Sequence, residues 1–477
     1  MANDLALPYQ KKTEKLLTEL EKVKAYFPDS FSSEEKSIRQ YSGFVSNPEL
    51  QVALVGAVKA GKSTLMNAIL GDDIAHWDVT PETAALSIFK YAEKNYVKVS
   101  FYSKAEWKDL WNSALKHPES PFLKEYNALN GDGKKNELLG HPAIEEFPTS
   151  IGALKERVKE FSSKNNVAHY FVKKIEIGLS NFGSPESPLP KDICFVDTPG
   201  LHDVVAYRSE ITKGYINRAN AVVVCVNSST MRDQELLTIQ KTFENIGKDK
   251  SKVLILGTQL DRLNRPKEDW DKQKADWYNH LEGLYEDHSA INTNIIGVSS
   301  LIYSLVRKLQ DGTEIDDNDV RDITTFAEKN GIKIVATGIL EKVFSDEKQK
   351  IISKAKNILD CTNVLKFLEV LKSGPLSNPA KVLSEDLDEW YNDVSKEAKE
   401  KASVLKTRVE EQLELLNNDI ASRQKAISKK QKQLDELKDS TKKINILFSE
   451  MENDITTEVS KMKEKLNSAL NSVIGGR

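Results

Sequence analysis

No stretch of this 477-residue chain is apolar for anything like the ~20 residues that a membrane-spanning helix needs. Its first residues, MANDLALPYQKK, also lack the apolar core of a secretion signal. Any contact with a membrane is therefore expected to be peripheral, on an inner face, and the expected address is cytoplasmic. Cysteine is scarce, with only Cys194, Cys225 and Cys361 present. That excludes a disulfide scaffold, and two of the three fall in apolar runs that read as core strands, where a thiol is a small buried hydrophobe. A charge of one sign is missing too. The net charge is −4, so no global basic field points to nucleic acid. Glycine and proline are absent from Leu383 to Val473.

What fills that last gap is a stripe. Leu383, Leu387, Trp390, Val394, Ala398, Leu405, Val409, Leu413, Leu416 and Ile420 recur at helical steps, and the pattern resumes from Ile444 to Val473. As one rod the segment would measure about 130 Å. A fold-back near 422–441, where apolar residues thin out, is the expected alternative. Residues 8 to 27 carry another stripe, Leu16, Leu17, Leu20, Val23 and Phe27, and a second short helix is expected from Ser32. The two chain ends would then close one bundle.

Between them, strand-like runs recur at 51–55, 86–91, 96–102, 169–179, 193–196, 220–226, 252–257 and 294–298. Helical patterns separate most of the later ones, which predicts an α/β domain with a largely parallel sheet. The run 169–179 alternates and is expected to be antiparallel or near an edge. Two helices and a polar loop, NALNGDGKKNE, are expected between 103 and 165.

Residues 56–64 read GAVKAGKST between a strand-like run and a helical one. That context gives GxxxxGK[ST] a mechanism. Gly56 and Gly61 let the backbone N–H groups of Ala57, Val58, Lys59, Ala60 and Thr64 surround a phosphate. Lys62 reaches its outer oxygens, and Ser63 offers a hydroxyl to Mg2+. A second apolar strand ends in Asp197-Thr198-Pro199-Gly200. An aspartate there holds Mg2+ through water, and the glycine N–H meets the γ-phosphate. A third ends in Thr258-Gln259-Leu260-Asp261. The Asp261 carboxylate can accept from guanine N1–H and its 2-amino group and would disfavour adenine. Gln259 stands where the usual motif has lysine. Ser299 and Ser300 follow the last strand, where a backbone N–H normally meets guanine O6. GTP and GDP are thus the expected nucleotides.

Taken together, these residues resemble the dynamin-like GTPases, especially the bacterial ones. The resemblance rests on VALVGAVKAGKSTLMNAILG at 52–71, on DVTPETAAL at 78–86, on the long separation of that segment from DTPG, and on TNVLKFLEVLKSG at 362–374. It implies an α/β P-loop GTPase domain with an enlarged mixed sheet over 48–375. It also implies an α-helical neck or stalk built from both chain ends, 1–47 and 376–477. Thr83, with Thr80 as the alternative, would be the switch ligand of Mg2+. Leu201 occupies the position from which Ras-like enzymes orient water, and family members supply charge near the P-loop instead. That charge is a monovalent cation in some and an arginine at the position of Lys59 in others. Lys59 is then either a catalytic cation or a solvated loop lysine, and His202 either a base or a surface residue. The resemblance further implies pairing of GTPase domains across the nucleotide and action on membranes. The eight basic residues of 423–443, against three acidic ones, are either a tip for anionic lipid, at about 1 kcal/mol per charge, or a solvated helix face. A protein partner in place of a membrane is the rival expectation. Family members often run on further, which leaves room for a membrane-binding segment past Arg477.

Overall fold

The computed structural model describes residues 2–474 apart from 29, 47, 58, 72, 76–85, 117–120, 164, 185–186, 199–212, 214, 218, 230–232, 247–248, 286–287, 335–339 and 418–423. The chain separates into two compact units, residues 50–377 and residues 1–49 with 378–477.

Unit 50–377 is built on a nine-stranded sheet ordered β11-β10-β9-β1-β8-β2-β5-β3-β4. Its strands are β1 (Leu50–Gly56), β2 (Leu86–Tyr91), β3 (Tyr96–Phe101), β4 (Ile144–Glu146), β5 (Val172–Leu179), β8 (Ile193–Asp197), β9 (Ala221–Asn227), β10 (Val253–Thr258) and β11 (Ile295–Gly297). Two two-residue strands, β6 (Gly183–Ser184) and β7 (Ser187–Pro188), pair antiparallel in a separate sheet. The five strands from β11 to β8 are mutually parallel. Their unbroken runs of Val, Ile and Leu suit burial on both faces. β2 enters antiparallel to β8 and carries the sheet outward with β5, β3 and β4. The sheet is therefore mixed, as the resemblance implies.

Several expectations need correction here. The strand at 169–179 begins only at Val172, because Val167–Tyr170 is a short 3-10 turn capped by Asn166. β5 is antiparallel to β3, in line with the expectation, and parallel to β2, with β3 and β4 between it and the edge. It alternates because one face is apolar, with Ile175 and Ile177 buried, while Lys174 and Glu176 share the other. Four helices, not two, lie between 103 and 165, and one of them, Gly131–Leu138, occupies the expected polar loop. Asn130 in the left-handed region starts that helix. Gly131 lies so close to the Tyr126 ring that an added Cβ would stand 2.1 Å from it.

The other unit consists of helices Ala2–Lys24, Ser32–Ser46, Pro379–Asn417 and Gln424–Ile474. Tyr41 packs edge-on against Trp390 and Tyr391, and Tyr391 against Phe448. The first helix starts before residue 8, with Pro8 inside its first turns. The expected fold-back at 422–441 is also moved. Gln424–Ile474 is one continuous helix and the helix before it ends at Asn417, while 418–423 lie outside the described residues.

Candidate functional site

β1 delivers the chain to a tight loop and then to the helix Lys62–Leu70. Gly56 is required by close approach, since an added Cβ would lie 2.6 Å from the Cys225 carbonyl oxygen. Lys59 and Gly61 both adopt the left-handed region, at φ 62° and 85°. No acidic residue occupies the first turn of the helix, so its positive end is unopposed. The ammonium of Lys62 curls back over the loop and donates to the carbonyls of Gly56, at 2.8 Å, and Ala57, at 3.2 Å. Ser63 and Thr64 lie in the same first turn. Lys59 is exposed. Val58 lies outside the described residues.

Asp197 ends β8, in register with Leu54 of β1. Its Oδ1 is buried and meets no hydrogen-bond partner among the described residues. Burial pushes this carboxyl above the usual aspartate range, and the nearby Lys62 charge pulls it back. Thr198 ties the strand end down, its hydroxyl donating to the Leu54 carbonyl at 2.8 Å. The unpartnered carboxyl oxygen at the end of β8 and the serine hydroxyl in the first turn after the loop are both hard oxygen donors, the type that fits Mg2+. Thr80, Thr83, Gly200, Leu201 and His202 lie outside the described residues.

Toward the sheet edge, β10 ends at Thr258, whose hydroxyl donates to the carbonyls of Ala60, at 2.8 Å, and Val226, at 3.0 Å. The next residue, Gln259, is left-handed at φ 63°. Its amide donates to the Lys59 carbonyl at 3.0 Å and accepts from Asn227 at 3.3 Å. The phosphate loop and the TQLD loop are thus stitched together at two neighbouring residues. Asp261 accepts from the Ser299 hydroxyl, and its backbone carbonyl accepts from Lys329 at 3.1 Å. Ser299 is fully buried, with its own N–H bonded to the Thr362 carbonyl, while the Ser300 hydroxyl is buried without a partner among the described residues. Trp270 covers Gly257 and Gly297 at the ends of β10 and β11.

These loops rise from the carboxyl ends of parallel strands of one sheet, which is where open α/β sheets bind ligands. Residues 52–259 match the family model described as "Dynamin family". That stretch is where this chain is similar to the dynamin family. The chain is 30% identical over 250 residues to "Dynamin-like protein 1" of Campylobacter jejuni, a match covering 52% of this chain and 32% of that protein. It is 26% identical over 181 residues to "Bacterial dynamin-like protein" of Nostoc punctiforme, covering 38% of this chain and 20% of the other. The matched region therefore spans a third or less of the length of these curated relatives. A solved structure titled "An oligomerised bacterial dynamin pair provides a mechanism for the long-range sensing and tethering of membranes" aligns at 19% identity with TM-score 0.41. It covers 96% of this chain and 69% of that one.

The fold brings Lys59, Lys62, Asp197, Thr258 and Gln259 around one loop, with Asp261 and Ser299 beside them. Sequence reasoning missed Asn227, Lys329 and Thr362, which brace this edge. Asn227 could have been found as the polar residue ending the run NAVVVCVN. Lys329, 68 residues from Asp261, gives no local signal.

Proposed function

We propose that this chain cleaves GTP to GDP and phosphate with Mg2+, and that it does so as a self-associating enzyme. The observation that supports this most is the convergence of Lys62, Asp197 and Asp261 at the ends of β1, β8 and β10. In this reading the phosphates replace the Gly56 and Ala57 carbonyls as partners of Lys62, and the N–H groups of 57–64 close around them. Bound Mg2+ would supply positive charge against the negative charge that develops on the phosphates. Ser63 and Asp197 would hold it, with Thr83 as a third donor. Asp261, kept in place by Ser299 and Lys329, accepts from the guanine edge. Leu201 cannot hydrogen-bond to water. Lys59, exposed at the rim and fixed by Gln259, is the cation this chain offers to the leaving oxygen.

Self-association across the nucleotide face makes turnover per subunit rise with protein concentration. Coupling of hydrolysis to the helical unit, and through it to a membrane, belongs to the same proposal. Among the described residues no helix is long and apolar enough to cross a membrane, so the contact would be peripheral. The test is GTP turnover against protein concentration, with and without anionic liposomes and with ATP as competitor. Lys62→Ala serves as the inactive control. No GTP binding or turnover at any concentration would sink the proposal.

One observation favours a second reading, in which the helices engage a protein partner. Several basic residues expected to meet lipid are already engaged. Lys430 donates to Gln412 at 3.2 Å, Lys438 lies 4.0 Å from Glu410, and Lys443 pairs with Asp439 and Glu19. Liposome co-sedimentation with a GTP analogue separates the two readings.

A further inference from the structure

Asn67 lies in the helix that begins at Lys62, one turn beyond Ser63 on the same face. It is 2% exposed. Its side-chain amide makes three hydrogen bonds to one short piece of backbone. Oδ1 accepts from the N–H of Ile74 at 2.9 Å and of Ala75 at 2.7 Å, and Nδ2 donates to the Ala75 carbonyl at 3.0 Å. Ile74 and Ala75 are themselves 4% exposed, so neither can exchange these bonds for water. Only an amide of this length supplies both two accepted bonds and one donated bond.

We propose that Asn67 is a positioning residue for hydrolysis. It fixes the chain entering the threonine-bearing segment in register with the Ser63 hydroxyl. Thr80 and Thr83 lie five and eight residues beyond Ala75. On the far side of that segment, Ser87 of β2 sits opposite Asp197 of β8. One end of the segment is thus tied to the helix of Ser63 and the other to the strand of Asp197. These are the same two elements that carry the other oxygen donors proposed for Mg2+. Loss of the amide frees only the first of these ties. This inference rests on the GTP-hydrolysing reading.

The experiment compares the full chain with Asn67→Ala, Asn67→Asp and, as a neighbouring control, Lys308→Ala. The control removes the Lys308–Asp73 ion pair and leaves the three amide bonds in place. Thermal unfolding sets an assay temperature at which each protein is folded. Asn67→Ala is expected to raise the Mg2+ concentration for half-maximal turnover by roughly fivefold. Its kcat should fall by roughly ten- to a hundredfold, with affinity for a fluorescent GTP analogue kept within about twofold. Asn67→Asp keeps the two accepted bonds but turns a carboxylate toward the Ala75 carbonyl, so the same shifts should be smaller. Lys308→Ala should retain the Mg2+ dependence. Unchanged kcat and Mg2+ dependence in folded Asn67 variants overturns the assignment. So does an equal shift in Lys308→Ala, or failure of both Asn67 variants to fold. A wild-type chain without GTP turnover would instead sink the functional reading itself.

Discussion

Glu176 shows how much one residue can carry on the half-covered face of the sheet. Burial pushes its carboxyl up, but Lys174, the Tyr96 hydroxyl and Lys90 outweigh that and hold it at about 2, against 4.5 when free. The contacts are short, 2.7 Å from Tyr96, 2.9 Å from Lys90 and 3.1 Å from Lys174. A depressed carboxyl adds stability that is complete above the unfolded value and is lost as pH falls through the folded one. Here that window runs from about 4.5 down to about 2. Allowing for solvent screening, the contribution at neutral pH is roughly 2 kcal/mol. Glu176→Gln should therefore lower stability by about that much at pH 7 in urea unfolding, and the gap to wild type should narrow steadily below pH 4.5. A gap that is the same at pH 7 and pH 3 would contradict the ion cluster's role. At the nucleotide edge, Asp261→Asn replaces one acceptor with a donor facing guanine's own donors. Preference for GTP over ATP should drop by roughly a hundredfold in competitive binding. Retained preference would move base recognition away from Asp261.

Elements are where the sequence could be read well and where it ran out. The parallel strands were legible because burial on both faces demands uninterrupted Val, Ile and Leu, as in VALV of β1 and VVVCV of β9. GAVKAGKST was legible because a phosphate loop needs glycine where backbone comes within contact of Cys225 and Thr258. The helix Gly131–Leu138 was not, since two glycines, an aspartate and an asparagine among its eight residues have poor helix propensity. What holds it is tertiary, with Tyr126 donating to Asp132 at 3.1 Å and lying flat against Gly131. The role of Gly257 was equally hidden. It reads as a strand weakness, yet an added Cβ would stand 2.2 Å from Trp270. The helix Pro266–Leu281 uses that indole, stacked edge-on to Trp277, to seal β10 and β11 just before the residues expected to meet the base. Gly257→Ala should lift Trp270 and cost about 1–3 kcal/mol in thermal unfolding. Weaker GTP binding and altered tryptophan fluorescence should accompany it. A variant with unchanged fluorescence would mean that the indole has room the geometry denies.

At the scale of the whole chain, what joins its two ends is the bundle of Ala2–Lys24 and Ser32–Ser46 with the long helices that follow residue 378. The apolar stripe accounts for most of that packing, with Leu16, Leu20, Leu387, Val394 and Met451 all buried. Polar links cross it as well, and those at Asp388 and at Lys12 differ in kind. Tyr9, 5% exposed, donates to Asp388 at 2.8 Å, and the Tyr41 hydroxyl next to it donates to the Leu387 carbonyl. Lys12 is 6% exposed and only 3.4 Å from Asp454, a residue that stays mostly in solvent. Burial pulls the Lys12 ammonium below its usual range, with Asp454 opposing. The ion pair is therefore a poor source of stability, because desolvating the ammonium offsets the attraction. Lys12→Met should leave the bundle as stable as wild type or firmer by about 1 kcal/mol. Asp388→Ala strands the Tyr9 hydroxyl in an apolar setting and should cost about 1–3 kcal/mol. Hydrogen exchange of the Ala2–Lys24 amides reads both variants locally, with faster exchange expected in Asp388→Ala and not in Lys12→Met. The reverse order would mean that the Lys12–Asp454 pair, rather than the Tyr9–Asp388 bond, holds the N-terminal helix to the C-terminal pair.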